Sequence, residues 1–192
     1  YAYDPDLKPK YAYNPAKARE LLKQAGYPNG VEIDFFTPVS RYIGDKQIAE
    51  AIVPMLEAVG FKVNLRTPEW GTLWSNVQRG GVPFYYMGRG TVIDPSAALS
   101  QYFETGASPR IGYSNKEVDK LLEAERQEFD EPKRIALLRQ AMALITEEAP
   151  AHFMLRHKLA WGVARTIEYK PLATTDILAT DIRMVRRQGA TR

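Results

Sequence analysis

V-E-I-D-F-F-T-P-V-S-R-Y-I-G-D-K-Q-I-A-E-A-I-V-P-M-L-E-A-V-G-F-K-V-N-L-R runs from Val31 to Arg66, and its hydrophobic period changes twice. Val31, Ile33 and Phe35 alternate with Glu32, Asp34 and Phe36, the pattern of a half-buried strand ending at Thr37-Pro38. Ile48, Ile52, Met55, Leu56 and Val59 then recur at helical spacing and stop at Gly60, as in a helix packed on a sheet. Pro54 interrupts that stripe; an interior proline costs about 3 kcal/mol, so a bend or break is expected near Val53. Phe61, Val63 and Leu65 return to strand alternation.

The same alternation continues outward. Asn14-Pro15 is an N-cap followed by a proline at the first helical position, opening a helix through Ala18, Leu21, Leu22 and Ala25 to Gly26. Pro28-Asn29-Gly30 makes the turn into Val31. Downstream, Trp70, Leu73, Trp74 and Val77 mark a short helix, and Pro83 to Met87 reads as a buried strand. Asp94-Pro95 repeats the cap-and-proline device, Ser114 with Glu117 reads as a capping box, and Asp130 opens the longest helix, ended by Pro150. His152 to Leu155 and Leu159 to Val163 read as strands; the tail from Thr166 is weakly periodic, and Arg186 to Arg192 reads as a frayed end. Strands alternating with helices imply an α/β fold: one domain over residues 1–192, with a mixed sheet of about five strands and helices on both faces. Val31 to Thr37, Phe61 to Arg66 and Pro83 to Met87 belong to that sheet.

Composition narrows the function classes. With 45% hydrophobic and 26% charged residues the chain has the balance of a folded domain, and a formal charge of +3 is too small an excess to imply nucleic acid. Arg183, Arg186 and Arg187 cluster without interleaved aromatics, so they read as a polar tail. The absence of cysteine removes disulfides, thiolate metal sites and thiol nucleophiles. No apolar run reaches membrane-spanning length, and Y-A-Y-D-P-D-L-K is no signal peptide, so an exported protein would carry its signal upstream of this chain.

Chemistry-bearing patterns are few. His152 and His157, five apart on an apparent strand, would face opposite ways, and two histidines do not make a metal site. No G-x-S-x-G elbow is present, and no carboxylate pair stands out from the solvated helix faces. Gly88-Arg89-Gly90 lies between a strand and a capped helix, but Ile93 occupies the third-glycine position of a dinucleotide loop. Its glycines fit a tight turn, or a ligand loop beyond the carboxyl end of a strand, as does Thr37 to Tyr42. Trp70 and Trp74, four apart, fit either helix-face core or an aromatic wall for a ligand. No cofactor is expected.

Four ordered phrases carry a family resemblance. Y-x-x-N-P-A-K-A-R-E-L-L-K-Q-A-G-Y-P-N-G (Tyr11 to Gly30), T-P-V-S-R-Y-I-G-D-K-Q-I-A-E-A-I (Thr37 to Ile52), L-E-A-V-G-F-K-V (Leu56 to Val63) and Y-S-N-K-E-V-D-K-L-L (Tyr113 to Leu122) resemble the extracytoplasmic solute-binding proteins of peptide-type ABC transporters. A-P-A-H-F-M-L-R-H-K-L-A-W-G-V (Ala149 to Val163) is similar to a late segment of one branch, with His152 and Trp161 holding recognisable places. The resemblance runs from about Tyr11 to Val185 and implies the C-terminal lobe, of periplasmic-binding-protein type II, of a longer two-lobed receptor. Residues 166–192 would then return to the missing N-terminal lobe, or pair with a second copy in a dimer of this fragment.

The resemblance also implies a function: periplasmic or otherwise extracytoplasmic capture of a peptide or peptide-sized solute between two lobes, delivery to permease subunits, and no catalysis. An α/β enzyme working at the Gly88 to Asp94 loop and the effector-sensing lobe of a transcriptional regulator are the alternatives. By position in the family, Arg41, Tyr42, Arg89, Gly90, Thr91, Asp94 and His152 are the candidate ligand residues. Peptide binders of this kind often carry W-x-x-D after the strand matching Val82 to Gly88, the acid receiving the peptide's amino group. Here Arg89 stands at the Trp position and Val92 near the Asp position, with Asp94 a little later, which implies an anionic ligand group instead.

Overall fold

A computed structural model describes residues 1–8, 10–90, 92, 94–172, 174 and 176–185. Two compact units form: residues 1–88 with 94–153, and residues 89–93 with 154–192. In the larger unit, β1 (Val31–Phe36) and β2 (Phe61–Arg66) pair in parallel, Val31 opposite Phe61 through Phe36 opposite Arg66. Parallel partners need a crossover, supplied by α2 (Asp45–Glu57), which packs on β2. The turn into β1 brings Gly30 against the Gly60 carbonyl, where a Cβ would collide, and the Val31 N–H donates to that same carbonyl at 3.2 Å.

Pro54 neither breaks nor ends α2, so no break occurs near Val53. Pro54 and Glu50 are both exposed, and on that side of the helix water can take the place of the N–H that proline lacks. The five-stranded mixed sheet is also corrected. Among the described residues the larger unit has two strands, and the Pro83–Met87 segment adds a single parallel bridge, Phe36 to Tyr85. Phe36 N–H donates to Phe84 O at 3.1 Å and Tyr86 N–H to Phe36 O at 2.8 Å; Pro83 has no N–H to extend the ladder. Helical cover differs between the two faces of the pair. Phe35 is buried on the side of Val31 and Ile33, whereas the other side is closed by exposed polar pairs, Asn64 with Glu32 at 2.7 Å and Arg66 with Asp34 at 3.0 Å. At its carboxyl end that polar side meets a helix: Phe36 packs with Leu73 and Val77 of α3 (Trp70–Gln78).

A separate apolar core joins α4 (Pro95–Phe103), α5 (Lys116–Gln127) and α6 (Glu131–Glu148) through Leu99, Phe103, Val118, Leu122, Leu138, Ala141 and Ile145. Asp94, Pro95 and Asp130 cap as their sequence positions suggest. The cap of α5 is Asn115, not Ser114: its side-chain oxygen takes the N–H groups of Glu117 and Val118, while the Ser114 hydroxyl meets that of Thr105. Asn115 also donates to Glu148 at 2.8 Å, a tie from α5 to α6 that the serine does not make. Before α1 (Pro15–Gln24), Asn14 accepts from Lys17 N–H at 2.9 Å, as its position suggests.

In the smaller unit β3 (Ile167–Tyr169) and β4 (Ile182–Met184) pair antiparallel, with a 3₁₀ turn at Ala179–Asp181 between them. His152 to Leu155 and Leu159 to Val163, expected as strands, are irregular and exposed, and have no ladder partner among the described residues. The frayed end expected at Arg186 to Arg192 lies outside the described residues. Among the described residues no helix is long and apolar enough to cross a membrane.

Candidate functional site

The loop after β1 is built around one carboxylate. Asp45, 2% exposed at the start of α2, accepts the main-chain N–H groups of Ser40 at 3.1 Å, Arg41 at 2.9 Å, Tyr42 at 2.9 Å and Lys46 at 2.7 Å. Burial alone would raise its pKa, but those four donors outweigh it and hold the carboxyl below its usual range. Ser40, at φ 61, and Gly44, at φ 69, both take the left-handed conformation that lets the chain wrap the acid. Thr37, fully buried beneath the loop, continues the pairing of β1 by donating its main-chain N–H to Arg66 O at 3.0 Å.

Because Asp45 is occupied by main chain, the Arg41 side chain turns to aromatic rings. Its guanidinium lies 5.1 Å over Tyr42 and 5.0 Å over Trp70. Trp70 stacks on Trp74 with ring centres 5.4 Å apart, as i and i+4 on a helix whose cap, Glu69, takes the N–H groups of Gly71 and Thr72. Those two N–H bonds hold the Glu69 carboxyl low. Arg110 lies 4.7 Å over Trp74 and 5.5 Å over Tyr102. Tyr42 meets the edges of Trp70 and Tyr86. Burial raises the Tyr42 hydroxyl pKa, opposed by the Arg41 charge and a backbone hydrogen bond at Gly88. Gly88 has a steric reason to be glycine: a Cβ there would sit 2.7 Å from the Tyr42 ring. A shallow groove over Asp34, Phe36, Leu65, Arg66, Thr67 and Pro68 opens nearby, but its Asp34 and Arg66 neutralise each other.

The structure distributes the sequence candidates unevenly. Arg41 and Tyr42 stand together in the aromatic group. Asp94 caps α4 through Ser96 N–H and forms a two-point pair with Arg134; against the upward push of burial, the Ser96 N–H and then Arg134 hold its carboxyl low. His152 is exposed after α6, within the larger unit, whereas His157 lies in the smaller one. Arg89 and Gly90 belong to the smaller unit; Gly90, unlike Gly88, has open space where a Cβ would go, and Thr91 lies outside the described residues. Trp70 and Trp74 are half-buried, between the two roles the sequence left open. Tyr86, Tyr102 and Arg110 were not singled out by sequence: they come from separate segments with no shared spacing, and only folding brings them together. Among the described residues no cluster of three His, Asp or Glu side chains is placed to hold a metal ion.

This α/β unit, with its polar, aromatic and cationic surface after β1, is similar to known proteins. The profile of bacterial extracellular solute-binding proteins, family 5 Middle, matches residues 1–109, more than half of the chain. Heme-binding protein A of Haemophilus influenzae is 32% identical over 181 residues, covering 90% of this chain and 31% of that protein. The dipeptide-binding protein of Escherichia coli (strain K12) is 31% identical over 159 residues, covering 79% of this chain and 30% of that protein. Among solved structures, the periplasmic binding protein DppA of Helicobacter pylori, in complex with the peptide STSA, matches with a TM-score of 0.68 at 30% identity, over 78% of this chain and 30% of that one. The chain spans about a third of the length of these relatives. It belongs to family 5 of the bacterial extracellular solute-binding proteins, which are transport binding proteins rather than enzymes.

Proposed function

We propose that this chain is the C-terminal lobe of a two-lobed, extracytoplasmic receptor that captures a peptide or peptide-sized polar solute and hands it to an ABC import permease. The observation that carries this reading is the family match over residues 1–109. It is supported by relatives named for heme and dipeptide binding and by a solved relative holding a peptide. Residues 166–192 are proposed to return to the first lobe in the intact receptor. Affinity comes from buried polar contacts, and closure follows from the ligand's preference for the closed state.

Arg41, Tyr42, Arg89, Gly90, Thr91, Asp94 and His152 are the proposed ligand residues, and the two arginines are the basis for expecting an anionic group on the solute. Asp45 is taken up by main chain and Asp94 by Arg134, so neither acid is the side-chain partner of Arg41. Mass spectrometry of small molecules that co-purify with the full-length receptor tests the class directly: a peptide or acidic solute is expected, and turnover of that solute would overturn a purely binding role. Arg89→Ala should weaken binding of that solute by at least about tenfold in calorimetry, the cost of a lost charge-assisted contact. Unchanged affinity in a folded variant removes Arg89 from the site.

A further inference from the structure

Five of the described arginines contrast in what holds them. Arg66, Arg126 and Arg134 each meet a carboxylate, on Asp34, on Glu104 and on Asp94 with Glu125 respectively. Arg41 and Arg110 meet none among the described residues; both are held by aromatic faces. A guanidinium held by its faces leaves its edge, where all five N–H groups point, open to an acceptor. Arg110 is also fixed at its main chain, where the N–H donates to Ser108 Oγ at 3.3 Å and the carbonyl accepts the Tyr85 hydroxyl at 2.9 Å. The path from one cation to the other runs Arg41 to Trp70, Trp70 to Trp74 and Trp74 to Arg110, in steps of 5.0, 5.4 and 4.7 Å.

We propose that Arg110 is a second anion-receiving, specificity-determining residue, set across the Trp70–Trp74 stack from Arg41, and that the ligand is an elongated solute with two acidic groups. The proposal rests on the solute-binding reading above and names the substrate class for it. The two cations stand on different indoles, Arg41 over Trp70 and Arg110 over Trp74, and a peptide with an acidic side chain and a free carboxyl terminus presents two carboxylates at a separation its backbone sets. A guanidinium edge donates two parallel hydrogen bonds to a carboxylate and gains little from a neutral amide of the same shape.

The test uses the full-length receptor and two matched probes, the tripeptides Ala-Ala-Glu and Ala-Ala-Gln. Ala-Ala-Glu is expected to bind tighter by roughly tenfold or more. Arg110→Gln should bring that preference close to one, lowering Ala-Ala-Glu affinity by roughly tenfold and Ala-Ala-Gln affinity by much less; Arg110→Lys, which keeps the charge without the planar fork, should fall between. A purely structural role for Arg110, riveting its loop to Trp74, would lower the melting temperature of Arg110→Gln and weaken both peptides alike, and that result overturns the proposal. Equal binding of the two peptides by the unaltered receptor also overturns it, while the receptor reading stands. Binding of neither peptide, with no acidic solute co-purifying, overturns both. Should Arg110→Gln fail to fold, the peptide preference of Arg110→Lys decides the matter.

Discussion

The carboxylate of Asp45 collects four main-chain N–H groups in a loop that contains a left-handed serine. Hydrogen bonds to a charged acceptor are worth about 1.5–3 kcal/mol each, and an asparagine oxygen replaces only part of that. Asp45→Asn is therefore expected to destabilise the protein by about 2–4 kcal/mol in urea unfolding. The pH dependence has a definite sign. Because the folded pKa lies below the unfolded value of about 3.9, the stabilisation is complete above that value and is lost as pH falls through the lower folded one. The unaltered protein should thus lose more melting temperature on acidification below about pH 4 than Asp45→Asn does; parallel acid limbs would show that charge does not hold the loop. At this scale sequence marks Arg41 and Tyr42 by their place after a strand, but gives no sign that Asp45 turns inward, because a carboxylate at the start of a helix is ordinarily a solvated, dipole-facing group.

Between α4, α5 and α6 the packing is apolar except at Glu125, fully buried, which takes the Ser96 hydroxyl and the Arg134 Nε at 2.9 Å. Arg134 reaches Asp94 at 2.9 Å with the same guanidinium and lies 5.4 Å over the Tyr1 ring. One side chain thus fastens α5, α6 and the cap of α4, the point at which the chain re-enters the larger unit after residue 93. Arg134→Met would strand a buried carboxylate and should cost about 3–5 kcal/mol. Replacing Glu125 by Leu as well should recover much of the loss, since an apolar pair of similar size removes the unpaired charge. A double variant as unstable as the single one would place the loss elsewhere, in Asp94 or in packing. The helices themselves were legible: Asn14, Asp94 and Asp130 cap where sequence puts them. The Asn115 shift and the unbroken α2 were not, because both depend on neighbours, the first on Glu148 across a helix pair and the second on which side of α2 meets solvent.

Past α6, exposed apolar side chains follow closely on one another: Phe153, Leu155, Trp161, Ile177, Leu178 and Met184. In the proposed two-lobed receptor the first lobe and the chain's return to it cover them. The 192-residue chain alone is then expected to self-associate, with a sedimentation mass that rises with concentration, whereas the full-length receptor stays monomeric. Ile177→Lys with Met184→Lys should lower the association; a chain that is monomeric at every concentration would contradict this. Local pattern was enough for the β1-α2-β2 unit, the capped helices and the family, because hydrophobic period and cap chemistry act over neighbouring residues. Strand number was not decided locally. Pro83 to Met87, His152 to Leu155 and Leu159 to Val163 have the composition of strands, yet a strand exists only where another backbone accepts its hydrogen bonds; the first finds Phe36 and the other two find none among the described residues. The same holds for the aromatic and cationic surface: Arg41, Trp70, Tyr102 and Arg110 lie in different segments, and tertiary packing alone sets a guanidinium over a ring while withholding a carboxylate from it.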